Sequence, residues 1–200
     1  MALGSLVTHL ISSGMTQQLI ERKSRAHRLL IRGGGRVSRA LVASAIAKAE
    51  NKQLCLIVPT MEEGSRWHSL LQLMGWKNCH LYPTSEGSPY ESFDPTSEIT
   101  WGQLQVLSEL AYEDGNNNMA IIATERSLQP HLPPKNFLIK KCFQLKKGDV
   151  VELEGLSQKL STLGYERVSS IEQEGTWSRR GDIVDVFPVS NELPVRLELF

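Results

Sequence analysis

Two hundred residues allow one large domain or two small ones. Twenty-two Lys and Arg balance 22 Asp and Glu, so net charge gives no ground for affinity to nucleic acid or membrane. With 40% hydrophobic and 22% charged residues the chain is too apolar for disorder. Its longest apolar runs, Leu54–Val58 and Met119–Ala123, fall far short of a membrane span. No basic segment opens the N-terminus, so no secretory signal is expected. Three dispersed cysteines (Cys55, Cys79, Cys142) exclude a disulfide framework and a Cys-based zinc site, which fits a reducing, cytoplasmic setting.

In chain order, Leu3–Ile11 and Thr16–Lys23 read as short helices broken by Ser12-Ser13-Gly14. His27–Ile31 reads as a first strand entering Gly33-Gly34-Gly35, and Ser38–Lys48 as an Ala-rich helix with Leu41, Ala45 and Ile46 on one face. Gln53–Val58, closed by Pro59, has the continuous apolar character of a strand buried on both faces. Met61–Met74 is predicted helical, with Trp67, Leu70, Leu71 and Met74 at helical spacing, and His80–Tyr82 is a strand stopped by Pro83. Thr96–Tyr112 is a long helix started by Asp94-Pro95-Thr96, and Met119–Thr124 a further strand after an Asn-rich turn. Strand alternating with helix over residues 25 to 125 is the pattern of an open, parallel α/β sheet.

After about residue 130 the pattern changes. Lys141–Leu145 is predicted as a strand, Lys146-Lys147-Gly148-Asp149 as a turn, and Val151–Leu163 as a helix capped by Gly164. Tyr165–Ile171, Thr176–Arg180, Asp182–Pro188 and Val195–Phe200 read as strands of an α+β meander. The last apolar alternation runs to Phe200 without a polar tail, which suggests a piece of a longer protein.

Charge is uneven despite its balance. Eight Lys and Arg fall in the first fifty residues, including Arg22, Arg28, Arg32, Arg36 and Arg39, whereas residues 86–114 carry seven acids and no base. The glycine run is the first place to look for nucleotide chemistry. A P-loop needs backbone amides facing phosphate, a Lys for its charge, and a Ser or Thr for the metal. With Gly35 in the middle of such a loop, Ser38 stands where the Lys belongs and Arg39 where the hydroxyl belongs. A hydroxyl cannot replace an ammonium, and a guanidinium cannot ligate magnesium, so the expectation is a tight turn (Arg36 or Arg39 holding an anion at most). The five histidines (His9, His27, His68, His80, His131) form no ligand spacing, and Cys79-His80 on one strand point apart, so no metal site is expected. Trp177 beside Ser178-Arg179-Arg180 reads either as an interface hot spot or as a strand with one buried face and solvated arginines.

These residues also carry a family resemblance. Gly175-Thr176-Trp177-Ser178-Arg179-Arg180-Gly181-Asp182-Ile183-Val184-Asp185-Val186-Phe187-Pro188 resembles the RG-x-x-x-D-x-FP signature shared by UvrB and the transcription-repair coupling factors, and Gly164-Tyr165-Glu166-Arg167-Val168 resembles the GY-x-R-V that precedes it. Pro89-Tyr90-Glu91-Ser92-Phe93-Asp94-Pro95 is similar to the PYDSFSP of the coupling factors, as are Lys146-Lys147-Gly148 and Glu192–Phe200 to their KKG and ELPYRLDFF. UvrB carries an intact P-loop, so the altered glycine run favours the coupling factors.

The resemblance implies a degenerate, P-loop ATPase-like parallel-sheet domain over residues 1–112, then a small α+β domain like UvrB domain 2 over 113–195 that contacts UvrA. Residues 196–200 would begin a strand returning to the first domain. It implies UvrA contacts at Arg167, with Arg179, Arg180 and Trp177 as further members, although some relatives place an Arg where this chain has Val150. The implied role is recruitment of UvrA to stalled RNA polymerase in transcription-coupled nucleotide excision repair. The ATP- and magnesium-dependent DNA translocase, with its polymerase and double-stranded DNA contacts, would lie outside these residues, leaving this piece without cofactor or catalysis of its own. The alternatives are an ATP-binding helicase lobe of UvrB type using Gly33–Arg39, and a direct DNA-binding domain using Arg22–Arg39, whose affinity would fall steeply with salt.

Overall fold

The structure, a computed structural model, describes residues 3–84, 98–112, 118–129, 132, 134–189, 191 and 193–199. The chain divides into two compact units, Met1–Glu86 with Asp114–His131, and Gly87–Glu113 with Leu132–Phe200.

In the first unit, helices α1 (Leu3–Ile11), α2 (Gly14–Ala26) and α3 (Arg36–Ala49) precede strand β1 (Leu54–Val58), helix α4 (Met61–Leu73) and strand β2 (Asn78–Leu81). Helix α5 (Glu98–Tyr112) belongs to the second unit, and strand β3 (Met119–Thr124) returns to the first. Ser13 caps α2 and Thr60 caps α4, each side chain accepting from the backbone N–H three residues on. The sheet has order β1-β3-β2 and is parallel throughout, with Leu54 opposite Ala120 and Asn78 opposite Met119. Its core gathers Val7, Ala40, Leu71, Met74, Trp76 and Ile122, all at most 2% exposed. The Trp76 indole donates to Ser44 Oγ at 2.9 Å, which satisfies both buried polar groups.

Two expectations for this unit fail. β1 is not buried on both faces. Alternate residues Cys55 and Ile57 share one face and are exposed, so that face is uncovered, and among the described residues the strand pairs only with β3. The expected strand at His27–Ile31 is absent, because residues 28–35 run without regular structure and pair with no strand. His27 ends α2 in a left-handed conformation (φ 52°) and turns the chain out of the helix. The start signals at Asp94-Pro95-Thr96 lie outside the described residues.

In the second unit, α6 (Lys135–Lys141) and α7 (Leu153–Thr162) precede β4 (Glu166–Arg167), β5 (Thr176–Arg180), β6 (Ile183–Val186) and β7 (Val195–Glu198). The sheet order is β4-β5-β6-β7. β5, β6 and β7 form the expected antiparallel meander, but β4 pairs parallel to β5 and is only two residues long. The expected strand at Lys141–Leu145 is also absent. α6 starts after Pro134, which cannot continue a helix backward, and leaves Cys142 extended as its C-cap. The Lys146–Asp149 turn forms as expected, closed by Asp149 N–H to Lys146 C=O at 3.0 Å and by the Asp149 carboxylate accepting from Lys146 N–H at 2.7 Å. Leu156 and Leu160 of α7 pack on Trp177, Val184 and Val186 to make this unit's core.

Candidate functional site

Side chains alternate across a strand, so one pair of neighbours divides the predicted arginines. Trp177 and Arg179 point to the α7 side of the β4–β7 sheet, and Ser178 and Arg180 to the other. Trp177 is 2% exposed and packs among Leu156, Leu160, Val184 and Val186. A side chain so covered supports a surface rather than forming one, so of the two readings of Trp177 the buried strand is the one realised. Its indole N–H has no hydrogen-bond partner among the described residues.

Arg167 lies opposite Trp177 in the parallel β4–β5 register, and its guanidinium sits 5.3 Å from the indole centroid. Arg167 itself is exposed. The buried ring thus holds a solvent-facing cation by its π face, a contact worth about 0.5–1 kcal/mol at an exposed site. Arg179 is engaged within the chain, bonding Glu154 of α7 at 2.6 Å and the Gly181 carbonyl at 3.2 Å.

On the opposite face, Arg180 donates to the Ser169 carbonyl at 3.1 Å. Asp185 of β6 is cross-strand from Arg196 of β7, and the guanidinium grips both carboxylate oxygens at 2.7 and 3.0 Å. This paired hydrogen bonding holds the Asp185 carboxyl below the ordinary carboxylate range, assisted by the charges of Arg196 and Arg180. Arg180, Asp185, Arg196, Ser169, Ser178 and Pro194 line a groove of about 390 Å³. Sequence reasoning missed Arg196. Its signal is the opposite charge at Asp185, which becomes visible only once the β6–β7 register is known.

The glycine run is built differently. Gly33 and Gly34 have φ of 82° and 70°, and Gly35 is the N-cap of α3 without a side-chain cap bond. Arg36 is committed elsewhere, making two 2.8 Å hydrogen bonds to Glu63, whose carboxyl they hold below its ordinary range. Arg39 turns back to the Gly33 carbonyl at 3.5 Å. Ser38 follows within α3, and no strand leads into the turn. The residues present do not fit a triphosphate with its metal, because ammonium and metal-binding hydroxyl are both missing and one of the two candidate arginines is already paired. No group of His, Cys, Asp or Glu suited to a metal ion occurs among the described residues. No described helix is long and apolar enough to cross a membrane. His131 lies outside the described residues.

The arginine-bearing sheet coincides with a family match. Residues 143–200 match the family described as the UvrB interaction domain. The chain is 29% identical over 178 residues to the transcription-repair-coupling factor of Escherichia coli, covering 89% of this chain and 15% of that protein. It is 28% identical over 172 residues to the same factor of Bacillus subtilis, covering 86% of this chain and 14% of that protein. The chain is similar over most of its length to transcription-repair-coupling factors. It spans about 15% of the length of the relatives it matches. The glycine run, the first parallel sheet and the two-faced second sheet therefore belong to a chain whose similarity to these factors extends well beyond the UvrB interaction domain itself.

Proposed function

We propose that this chain is the UvrA-docking part of a transcription-repair coupling factor, acting in the cytoplasm in transcription-coupled nucleotide excision repair. In this reading the second unit, expected at residues 113–195 but without β3, which belongs to the first sheet, carries the contact, and the first sheet is an ATPase-like domain whose degenerate glycine turn binds no nucleotide. RNA polymerase and duplex DNA engage the remainder of the protein, where the ATP-driven translocase resides. The observation that carries the reading is the UvrB interaction domain match across the sheet that presents Arg167, Arg180 and Arg196. Guanidinium forks suit such a contact, because they bind carboxylates with two parallel hydrogen bonds at low desolvation cost.

The test is capture of purified UvrA by the 200-residue chain. Binding that weakens in the combined Arg167→Ala, Arg179→Ala, Arg180→Ala variant supports the reading. No binding, or undiminished binding by that variant, counts against it. Titration with ATP and magnesium checks the glycine turn, and micromolar affinity there would reinstate a helicase lobe.

A further inference from the structure

The strands of the second sheet carry Arg167, Arg179, Arg180 and Arg196, and three of these are fixed by hydrogen bonds. Arg179 gives Nε and Nη1 to the Gly181 carbonyl and to Glu154, Arg180 gives Nη2 to the Ser169 carbonyl, and Arg196 gives Nε and Nη2 to Asp185. Arg167 is fixed differently. Among the described residues its guanidinium makes no hydrogen bond and no ion pair, and what it meets is the Trp177 ring, 5.3 Å away. A guanidinium carries five N–H donors, and a ring that attracts its charge uses none of them. Arg167 is therefore held with its whole fork available.

The ring is rigid enough to do this. Trp177 is 2% exposed and wedged among Leu156, Leu160, Val184 and Val186. The backbone brackets Arg167 on both sides: Glu166 N–H donates to Gly175 C=O and Val168 N–H to Trp177 C=O, each at 2.8 Å. These two bonds fix the register that lays Arg167 beside Trp177 on a strand only two residues long. The indole also carries a burden. Its N–H is buried without a hydrogen-bond partner among the described residues, which a phenyl ring would avoid. What an indole offers over a phenyl is the stronger π face for a cation.

We infer that Trp177 is a positioning residue for partner binding: it holds the Arg167 guanidinium ready for a carboxylate of the partner, while the ring itself stays buried and untouched. The inference rests on the reading that UvrA docks through Arg167. Ordering a long side chain on binding lowers affinity, and a guanidinium ordered beforehand avoids that loss. Arginine suits the arrangement better than lysine, because a planar fork can face a ring and still offer two parallel N–H groups.

The experiment is a double-mutant cycle on the full 200-residue chain titrated with purified UvrA. Trp177→Leu is expected to weaken binding about two- to fivefold when Arg167 is present, and to leave it unchanged in the Arg167→Ala background. Trp177→Phe, which keeps a ring in the core, should fall between Trp177→Leu and the wild type. A second readout needs no partner. The Arg167 Nε–Hε NMR resonance, assigned by its disappearance in Arg167→Ala, should be displaced by the ring in the wild-type chain and return to the ordinary arginine position in Trp177→Leu. Equal losses with and without Arg167 would make Trp177 a core residue only and overturn the inference, as would an Arg167 resonance that ignores the change. If Trp177→Leu does not fold, Trp177→Phe decides by the same two measures: a moved resonance with a loss confined to the Arg167 background supports the inference, and any other result overturns it. A wild-type chain that fails to capture UvrA refutes the docking reading and the inference with it, whereas capture without coupling between Trp177 and Arg167 refutes the inference alone.

Discussion

Gly175 sits where three strands meet. Its carbonyl accepts from Glu166 N–H at 2.8 Å, and its own N–H donates to Phe187 C=O at 2.9 Å. Its φ is +77°, and a Cβ placed there would lie 3.0 and 3.3 Å from two ring atoms of Trp101. Gly164 also has positive φ, +90°, but a Cβ there would meet nothing within 4 Å. Gly164→Ala therefore measures the backbone cost alone. The left-handed conformation costs an L-residue about 1–2 kcal/mol, offset by about 0.4–1 kcal/mol from the stiffer unfolded chain, for a net loss near 1 kcal/mol. Gly175→Ala adds overpacking against the indole, about 1–3 kcal/mol more, for a total of about 2–4 kcal/mol. Urea unfolding followed by circular dichroism gives both values. The Trp101→Ala background isolates the ring, because in the double variant the added cost at Gly175 should fall back to that seen at Gly164. Equal losses at the two glycines, or a Gly175 penalty that survives removal of Trp101, would refute the contact between α5 and the β4–β5 junction.

Asp185 should titrate below the ordinary carboxylate value of about 3.9 because Arg196 bonds both its oxygens. A depressed acid stabilises the fold fully above its unfolded value and loses that contribution as pH falls through the folded one, so Arg196→Leu should raise the midpoint seen by carboxyl-carbon NMR and remove this acid-limb dependence. Burial pushes the Cys79 thiol up to about 11, so at pH 8 iodoacetamide should label exposed Cys55 well before Cys79, as peptide mass would show. Lys48 donates to Gly75 C=O at 2.9 Å and Asn118 Oδ1 at 3.1 Å and lies 4.6 Å from the Trp76 ring centre. Lys48→Met should cost the first unit about 1–2 kcal/mol in urea unfolding.

Apolar periodicity made the parallel sheet legible, because β1, β2 and β3 are compact apolar runs between helical segments. It could not tell an edge strand from a central one. The same composition in Leu54–Val58 suits either place, and it does not show that the face bearing Cys55 and Ile57 is left exposed. Apolar character also misled at His27–Ile31, since a strand exists only where a neighbour supplies hydrogen bonds. α6 was hidden because a seven-residue helix contains too few turns for its period to stand out. At the second sheet the alternation of Arg179 and Arg180 was readable from the strand alone. The stacking of Arg167 on Trp177 and the gripping of Asp185 by Arg196 depend on cross-strand register, which no local pattern reveals.

That alternation sharpens what an interface on this sheet requires. A partner surface that lies flat on one face cannot use Arg179 and Arg180 equally. Arg179 lies on the helix side, bonded to Glu154 and Gly181. Arg180 and Arg196 converge beside Asp185 on the other side, and Arg167, in register with Trp177, stands at the β4 edge on the α7 side, two residues before the Ser169 carbonyl that Arg180 holds. A partner that wraps around the β4 edge onto the face of Arg180 and Arg196 therefore touches Arg167, Arg180 and Arg196 and leaves Arg179 aside. Hot-spot truncations cost about 2 kcal/mol or more, roughly a thirtyfold loss of affinity, whereas neutral rim positions cost little. Single alanine variants titrated against UvrA should then show large losses at Arg167, Arg180 and Arg196 and less than about threefold at Arg179. The reverse ranking, with Arg179 dominant and Arg180 and Arg196 silent, would move the contact to the α7 side of the sheet and would require the Glu154 pair to open on binding.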